Sequence, residues 1–332
     1  MMKDNLIYFP DVWQESMEEL YEKMTLEELK KIAQIHEIAG LYKFRKSKQI
    51  AVIIDCILSH QYMWDFFLCA SDEETNLFEQ MMEDDQDMEE DDSELKQLMR
   101  YFCRGGYILQ NDQGKLMIPE EVKSAYRRLN TPEFQQAHKE YNTAYNYCCG
   151  LTALYGLASL REITRLYNAY EKKDMAPEEM LFDIFLPSLK RSRAITYTDD
   201  MLVEGILLHE EGLADSILKV RKSYDPYIPT KEEVYDLSHG IEDPLMIFGM
   251  YLMEYMRFSV QTAMGVTELV AGMLKIGADP EDVFELLKRE DVAFINEEQA
   301  DEFAGELVEL WMNLRLYTLY GHTPLEMEKG AF

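Results

Sequence analysis

Hydrophobic residues recur at helical spacing along most of the chain, and alternating stretches are few. Near the N-terminus two apolar stripes mark two helices, one that Thr25 begins and one over residues 47–60. The first stripe consists of Leu26, Leu29, Ile32 and Ala33. The second stripe consists of Ile50, Ile53, Ile54, Ile57 and Leu58. This pattern predicts a mainly α fold that begins with a hairpin of two amphipathic helices.

Capping residues mark where several helices begin and end. Thr25 and Glu28 have the spacing of a capping box, in which each side chain accepts a hydrogen bond from the other residue's backbone amide. Ser159 and Glu162 repeat this spacing. Gly40 is placed to stop the first helix of the hairpin, and Asn296 is placed to cap a long helix over residues 297–319.

Alternating apolar positions predict two small hairpins. In the first, strand-like residues 107–109 and 115–118 lie between one helix and another that opens at Pro119. Helix, hairpin and helix in this order predict a winged-helix-like α+β unit over residues 95–130. The second hairpin is expected over residues 194–203, with its turn at Asp199 and Asp200.

Charge divides the rest of the chain. The formal net charge is −30, and residues 71–94 contain thirteen acidic residues and no basic one. Self-repulsion predicts that the core of this run, residues 83–92, is an extended linker or loop. We therefore expect five segments, with the last boundary placed at the two prolines of residues 223–230. They are an N-terminal helical module (1–70), an acidic linker (71–94), the winged-helix-like unit (95–130), a helical region with a small hairpin (131–225) and a C-terminal helical domain (226–332).

The most basic segment lies between the first two apolar stripes. Residues 41–50 contain Lys43, Arg45, Lys46 and Lys48 and no acidic residue. Cations along an extended backbone can follow the phosphates of a nucleic acid, and each neutralised phosphate releases a counterion. These four residues are the candidate nucleic-acid-binding residues. The global negative charge opposes such binding at long range.

The residues of this hairpin resemble a known module. The run TLEELKKIA, a turn through Ala39 and Gly40, the four cations and an apolar helix are similar to the helix–extension–helix module at the N-terminus of the Rho transcription termination factor, which is related in shape to the SAP motif. The resemblance covers residues 25–58, about a tenth of the chain. It implies that the module holds DNA or RNA through the cations.

The end of the chain carries a second resemblance. An Asn-x-Arg-x-aromatic run before Gly-His-Thr-Pro is similar to the C-terminal part of Firmicutes-type bacterial proteins that carry a SEC-C zinc motif. The matching residues are Asn313, Arg315, Tyr317, Gly321, His322, Thr323 and Pro324. No cysteine follows Cys149, so the resemblance does not extend to the zinc ligands, and no metal or other cofactor is expected.

Motifs for catalysis are not found. The sequence contains no P-loop, no GxGxxG at a helix start, no GxSxG and no HExxH, so we expect no enzymatic activity. The cysteines follow no CxxC or disulfide-framework spacing, residues 1–11 lack a secretory pattern, and no apolar run is long enough to cross a membrane. A cytoplasmic protein without a membrane segment is expected.

Two main functions remain in view at this point, and an enzyme without a recognised active-site motif is a third. The first is a non-enzymatic, transcription-related protein that binds DNA or RNA through the N-terminal basic residues. The second is a scaffold that docks a protein partner through exposed Met, Tyr and Phe. Two further interpretations concern the basic residues themselves. They form a solvated surface loop without a ligand, or the acidic run mimics nucleic acid and covers them.

Overall fold

Helices dominate the part of the chain that the structure describes, so the predicted mainly α class is confirmed. The computed structural model describes residues 16–83, 93–110, 116–191, 194–289 and 294–330. The chain divides into two units, Met1–Thr143 with Pro187–Arg191 and Ala144–Leu186 with Ser192–Phe332. Within the described ranges no helix is both long and apolar enough to span a membrane.

Unit 1 is built from short helices and one small hairpin. Its elements are α1 (Met17–Lys23), α2 (Leu26–Ile35), a 3-10 turn (Leu41–Lys43), α3 (Lys46–Ile57), α4 (His60–Phe67), α5 (Asp72–Glu83), α6 (Ser93–Gly105), β1 (Leu109–Gln110), β2 (Leu116–Met117) and α7 (Glu120–Leu129). Helix α8 (Pro132–Tyr155) begins in this unit, and the boundary between the units falls within it.

The N-terminal hairpin is present, with different boundaries for its second helix. Thr25 and Glu28 form the predicted capping box at the start of α2. Helix α3 ends at Ile57, because Ser59 has extended backbone angles and begins α4. The predicted helix over 47–60 is therefore two helices. The expected extension is a 3-10 turn, and Lys46 and Lys48 belong to the first turn of α3.

Aromatic rings form the core of unit 1. The ring of Phe67 lies 4.9 to 5.0 Å from the rings of Phe78, Phe102, Tyr107 and Tyr126, measured between centroids. These residues come from α4, α5, α6, the hairpin region and α7. Residues of the expected segments 1–70 and 95–130 thus contribute to the same aromatic cluster.

A helix, not an extended linker, occupies residues 72–83. Leu77 and Phe78 are buried, and three acidic residues stand in the first turn of α5, where the helix dipole favours negative charge. Glu74 is buried, and its carboxylate accepts a hydrogen bond from Nε of Arg191 at 2.9 Å. The expectation of a linker ignored these two compensations. Residues 84–92, the centre of the acidic run, lie outside the described residues.

The predicted order of helix, hairpin and helix is found over residues 93–129. Strands β1 and β2 are antiparallel, with Leu109 opposite Met117. The predicted turn residues 111–114 lie outside the described residues. The winged-helix class remains a prediction.

Unit 2 contains a three-stranded sheet and a helical bundle. From α8 the chain continues through β3 (Leu157–Ser159), α9 (Leu160–Glu171), α10 (Pro177–Glu179), a π-helix (Met180–Phe185), β4 (Ile195–Thr198), β5 (Met201–Glu204), a 3-10 helix (Gly205–Leu208), α12 (Leu213–Arg221), α13 (Lys231–Ser238), α14 (Asp243–Glu254), α15 (Val260–Lys275), α16 (Pro280–Arg289), α17 (Glu297–Asn313) and α18 (Pro324–Glu328). Helix α11 (Leu186–Ser188) lies at the point where the chain passes from unit 2 to unit 1.

The second hairpin is confirmed and gains a third strand. Strands β4 and β5 pair through a turn at Asp199 and Asp200, whose φ angles are 48° and 61°. Strand β3 pairs with the other edge of β5, in the order β3-β5-β4. Sequence patterning missed β3 because three residues are too few to show alternation. Ser159 ends β3 and forms the predicted capping box of α9 with Glu162.

Hydrogen bonds connect residues on both sides of the boundary that we predict at residues 223–230. The Tyr155 hydroxyl donates to the Tyr227 carbonyl at 2.6 Å, and the Tyr227 amide donates to the Tyr320 carbonyl at 3.0 Å. Asn296 caps α17 as predicted. That helix ends at Asn313 instead of residue 319, because the backbone of Leu314 is extended.

Candidate nucleic-acid interface

The basic segment is held at both ends by buried residues. Leu41 and Ile50 are buried, whereas the residues between them are exposed or half-buried. Gly40, with φ of +80°, turns the chain from α2 into the 3-10 turn, a conformation that favours glycine. The segment is thus a short tethered projection with limited conformational freedom.

Three of the four predicted cations point into solvent. Lys43 ends the 3-10 turn, Arg45 precedes α3, and Lys48 lies in the first turn of α3, and all three are exposed. Within the described ranges, Arg45 and Lys48 have no ion-pair partner. The structure therefore brings these three side chains together on one exposed segment.

Lys46 differs from the other three. It is half-buried, and its Nζ lies 3.6 Å from a carboxylate oxygen of Glu22. The same ammonium group donates to the Glu22 carbonyl. These bonds join the start of α3 to α1. Lys46 holds the scaffold in place and is less available to a ligand than its neighbours.

The N-terminus of α3 has no side-chain cap. Arg45 occupies the capping position but offers no acceptor, and the first turn contains no acidic residue. The backbone amides of Lys46 and Ser47 accordingly have no acceptor among the described residues. Free amides and the positive end of the helix dipole favour an anion. The neighbouring cations strengthen this preference.

Two exposed aromatic residues alternate with the cations and were not singled out from the sequence. The side chain of Tyr42 is 82% exposed and that of Phe44 is 43% exposed. Nζ of Lys43 lies 5.6 Å from the centroid of the Tyr42 ring. Solvated aromatic rings beside cations can stack on unpaired bases. The alternation of aromatic and basic residues in the sequence YKFRK was the signal for this pair.

A buried histidine ties the hairpin to the rest of unit 1. Nε2 of His36 lies 2.8 Å from the carbonyl oxygen of Gly105, and its ring packs 5.0 Å from that of Phe66. Burial lowers the pKa of His36 to about 4. His36 is therefore neutral at physiological pH, and the position of the hairpin depends on its neutrality.

The end of α7, in the winged-helix-like region, carries two arginines, Arg127 and Arg128. Nη1 of Arg127 lies 3.1 Å from a carboxylate oxygen of Glu120, about two turns earlier in α7. Both side chains are exposed. Arg128 is also exposed. One of the two arginines at the end of α7 is thus compensated by an acid of the same helix. These two arginines therefore add little to the candidate interface.

The C-terminal motif residues form a packed joint within unit 2. Arg315 donates to the Gly321 carbonyl at 3.0 Å and to Glu233 at 2.9 Å. Its guanidinium lies 3.5 Å from the centroid of the Tyr227 ring. Thr323 forms a capping box with Glu326 at the start of α18. These contacts indicate a structural role for the motif, because they hold its residues against Tyr227 and Glu233 of unit 2.

Unit 2 also contains a small cavity of about 190 Å³. Its lining includes Tyr145, Cys149, Phe185, Glu204 and Ser238. Burial raises the pKa of the Glu204 carboxyl. Within the described part of the chain, no group of three or more His, Cys, Asp or Glu residues is placed to hold a metal ion.

Comparison of the chain with protein-family models, with curated proteins and with solved structures finds no match.

Proposed function

We propose that this protein is a non-enzymatic, nucleic-acid-associated protein of the bacterial cytoplasm, with a transcription-related role, and that it binds through Lys43, Arg45 and Lys48. The supporting observation is that three solvated cations, two solvated aromatic rings and an uncapped helix N-terminus occupy one short segment. Phosphates contact the cations and the free amides of α3. Unpaired bases stack on Tyr42 and Phe44.

The arrangement favours single strands over duplexes. A duplex keeps its bases stacked on each other, so it can use the cations but not the aromatic rings. The net charge of −30 keeps the affinity modest, because the protein as a whole repels polyanions while the segment attracts them locally. Binding is expected to weaken steeply as salt is added.

The test compares two double variants with the same loss of charge. Arg45→Ala/Lys48→Ala removes two solvated cations of the segment, whereas Lys219→Ala/Lys222→Ala removes two exposed lysines of unit 2. Lys46 is left intact because it bonds to Glu22. Fluorescence anisotropy with labelled single-stranded and duplex DNA and RNA oligonucleotides, at about 50 and 200 mM salt, measures affinity and its salt dependence.

The first variant should lose about tenfold or more in affinity for single strands, with a salt slope shallower by about 1.5, and the second should bind like the wild type. Equal binding by all three proteins, or binding by none, would overturn the proposal. In either case the basic segment is a solvated surface feature.

A further inference from the structure

The outer side of α14 in unit 2 exposes large apolar side chains. Met246, Ile247 and Met250 are 55%, 58% and 48% exposed. Met250 lies four residues after Met246 and three after Ile247, so the three side chains share one side of the helix, while Phe248 and Leu252 are buried on the other side. Tyr255, immediately after the helix, is 60% exposed. An apolar stripe of this kind is typical of a surface that another helix covers.

Helix α17 supplies an acidic border to this stripe. The two helices pack through Phe248 and Phe303, whose ring centroids are 5.9 Å apart. Helix α17 carries six acidic residues and no Lys or Arg, and α14 carries Asp243 and Glu254 and no Lys or Arg. Glu302, Glu306 and Glu309 follow at helical spacing on one side of α17.

The negative charge of this border is not compensated locally. Burial, Glu309 and Glu302 together raise the pKa of the Glu306 carboxyl. Arg257 is the nearest cation in sequence to α14, and it forms no ion pair with these carboxylates. A positively charged ligand would relieve the repulsion among the glutamates.

Tyr251 lies between the apolar stripe and the acidic border. Its side chain is 6% exposed, its ring stacks on that of Tyr255 with centroids 5.4 Å apart, and its hydroxyl has no hydrogen-bond partner within the described ranges. Burial, followed by the carboxylates of Glu302 and Glu306, raises its pKa to about 12. A buried hydroxyl without a partner costs free energy in the isolated protein. The Tyr251 hydroxyl is thus a hydrogen-bond donor for which the described residues supply no acceptor.

We propose that this surface binds a basic amphipathic helix of a protein partner. The apolar side of that helix covers Met246, Ile247 and Met250, and its Lys or Arg side chains contact Glu302, Glu306 and the exposed face of Tyr255. When a cation of the partner attracts the Glu306 side chain, the Glu306 carboxylate comes within reach of the Tyr251 hydroxyl. The hydroxyl then donates a hydrogen bond to that carboxylate. Tyr251 is then a positioning residue, because it orients Glu306 for the partner.

Charge complementarity selects this occupant over two others. A second copy of the chain would bring the same acidic border against this one, and like charges in contact oppose association. A nucleic acid is excluded from the surface for the same reason. The proposal concerns unit 2 alone and does not depend on the basic segment of unit 1.

The probe for the test is a synthetic Leu/Lys peptide with leucines at helical spacing, and its control is a peptide of the same composition in permuted order. The full-length protein is compared with three variants. Glu302→Gln/Glu306→Gln removes two charges of the border, Tyr251→Phe removes the hydroxyl, and Glu210→Gln/Glu211→Gln removes two exposed charges elsewhere in unit 2. Isothermal titration calorimetry measures affinity, thermal melting measures folding, and sedimentation velocity measures self-association.

The border variant should bind the peptide about tenfold or more weakly, while the Glu210/Glu211 control should stay within about twofold of the wild type. Tyr251→Phe should weaken binding without lowering the melting temperature, a combination that a merely structural role would not produce. The proposal fails if the permuted peptide binds as tightly, or if the control loses as much affinity as the border variant. It also fails if the surface proves to be a self-association contact that Ile247→Ser/Met250→Ser disrupts.

Discussion

The basic segment, residues 41–50, and the surface formed by α14 and α17 carry opposite charges. They are also assembled in different ways. The first is continuous in sequence, so its cations are neighbours before the chain folds. The second joins two helices that lie more than forty residues apart along the chain. In both regions solvated charges border solvated apolar side chains, and the sign of the charge indicates the class of ligand.

In both units a buried carboxylate has an ion-pair partner, unlike the solvated charges of the two candidate surfaces. Glu74 pairs with Arg191 in unit 1, and Glu242 pairs with Lys275 in unit 2. These two buried carboxylates are paired where water is excluded, whereas Arg45, Lys48, Glu302 and Glu306 have no ion-pair partner among the described residues. Unpaired, solvated charge beside exposed apolar groups is therefore the feature that separates a candidate binding surface from the rest of the acidic exterior.

The largest effect is expected from breaking the ion pair that anchors the start of α14. Nζ of Lys275 lies 2.5 Å from a carboxylate oxygen of Glu242, and both side chains are almost entirely buried. Lys275→Met leaves Glu242 buried without a partner and should lower the free energy of unfolding by about 3–5 kcal/mol. Urea denaturation measures the loss. Lys31→Met, which removes an exposed pair with Glu27, should change it by less than about 1 kcal/mol, and an equal loss in both variants would contradict the prediction.

The next largest effect concerns the scaffold of the basic segment and depends on pH. Burial holds the pKa of His36 at about 4 in the folded state, compared with 6.5 for an ordinary histidine. Between these values the unfolded chain binds the additional proton, so stability present above pH 6.5 is lost as the pH falls toward 4. The total is about 3 kcal/mol. His36→Gln keeps a donor for Gly105 and should flatten the fall, leaving the part due to His138, whose pKa burial also lowers. An unchanged pH profile in this variant would rule out His36 as the cause.

A third effect separates stacking from charge within the basic segment. Tyr42→Ala/Phe44→Ala removes both exposed rings and no charge, and it should weaken binding to single strands by about tenfold or more while leaving its salt slope unchanged. Duplex binding should be unaffected. Anisotropy titrations at two salt concentrations distinguish this result from that of Arg45→Ala/Lys48→Ala. If binding to single strands and binding to duplexes fell by the same factor, the rings would stabilise the fold instead of contacting a ligand.

The smallest effect has the opposite sign and tests the other surface. Tyr251→Phe removes a buried hydroxyl that has no partner among the described residues, so it should raise the free energy of unfolding by about 1 kcal/mol. Thermal and urea denaturation measure the gain. Tyr126→Phe is the matched control, because the Tyr126 hydroxyl donates to Glu79 at 2.8 Å and its removal should destabilise the protein. Destabilisation by both changes would show that the Tyr251 hydroxyl is bonded in solution.

Local chemistry made much of the fold predictable. The capping boxes at Thr25 and Ser159, the cap at Asn296 and the hairpin at Asp199 and Asp200 depend on residues within a few positions of each other. The basic segment was predictable for the same reason, since its cations are consecutive or nearly so. The aromatic core of unit 1 was not predictable, because it depends on which buried faces meet.

By itself the sequence determined the helical class, several helix starts, both hairpins and the location of the cationic segment, because capping, periodicity and charge are local properties of the chain. Only the tertiary structure decided that Lys46 is used by the scaffold while Arg45 and Lys48 remain solvated, and that residues 72–83 fold as a helix with Glu74 on Arg191. It alone placed Tyr251 beside Glu302 and Glu306. The physical reason is that burial and long-range pairing set the state of a charged or polar group, and neither can be read from its neighbours in sequence.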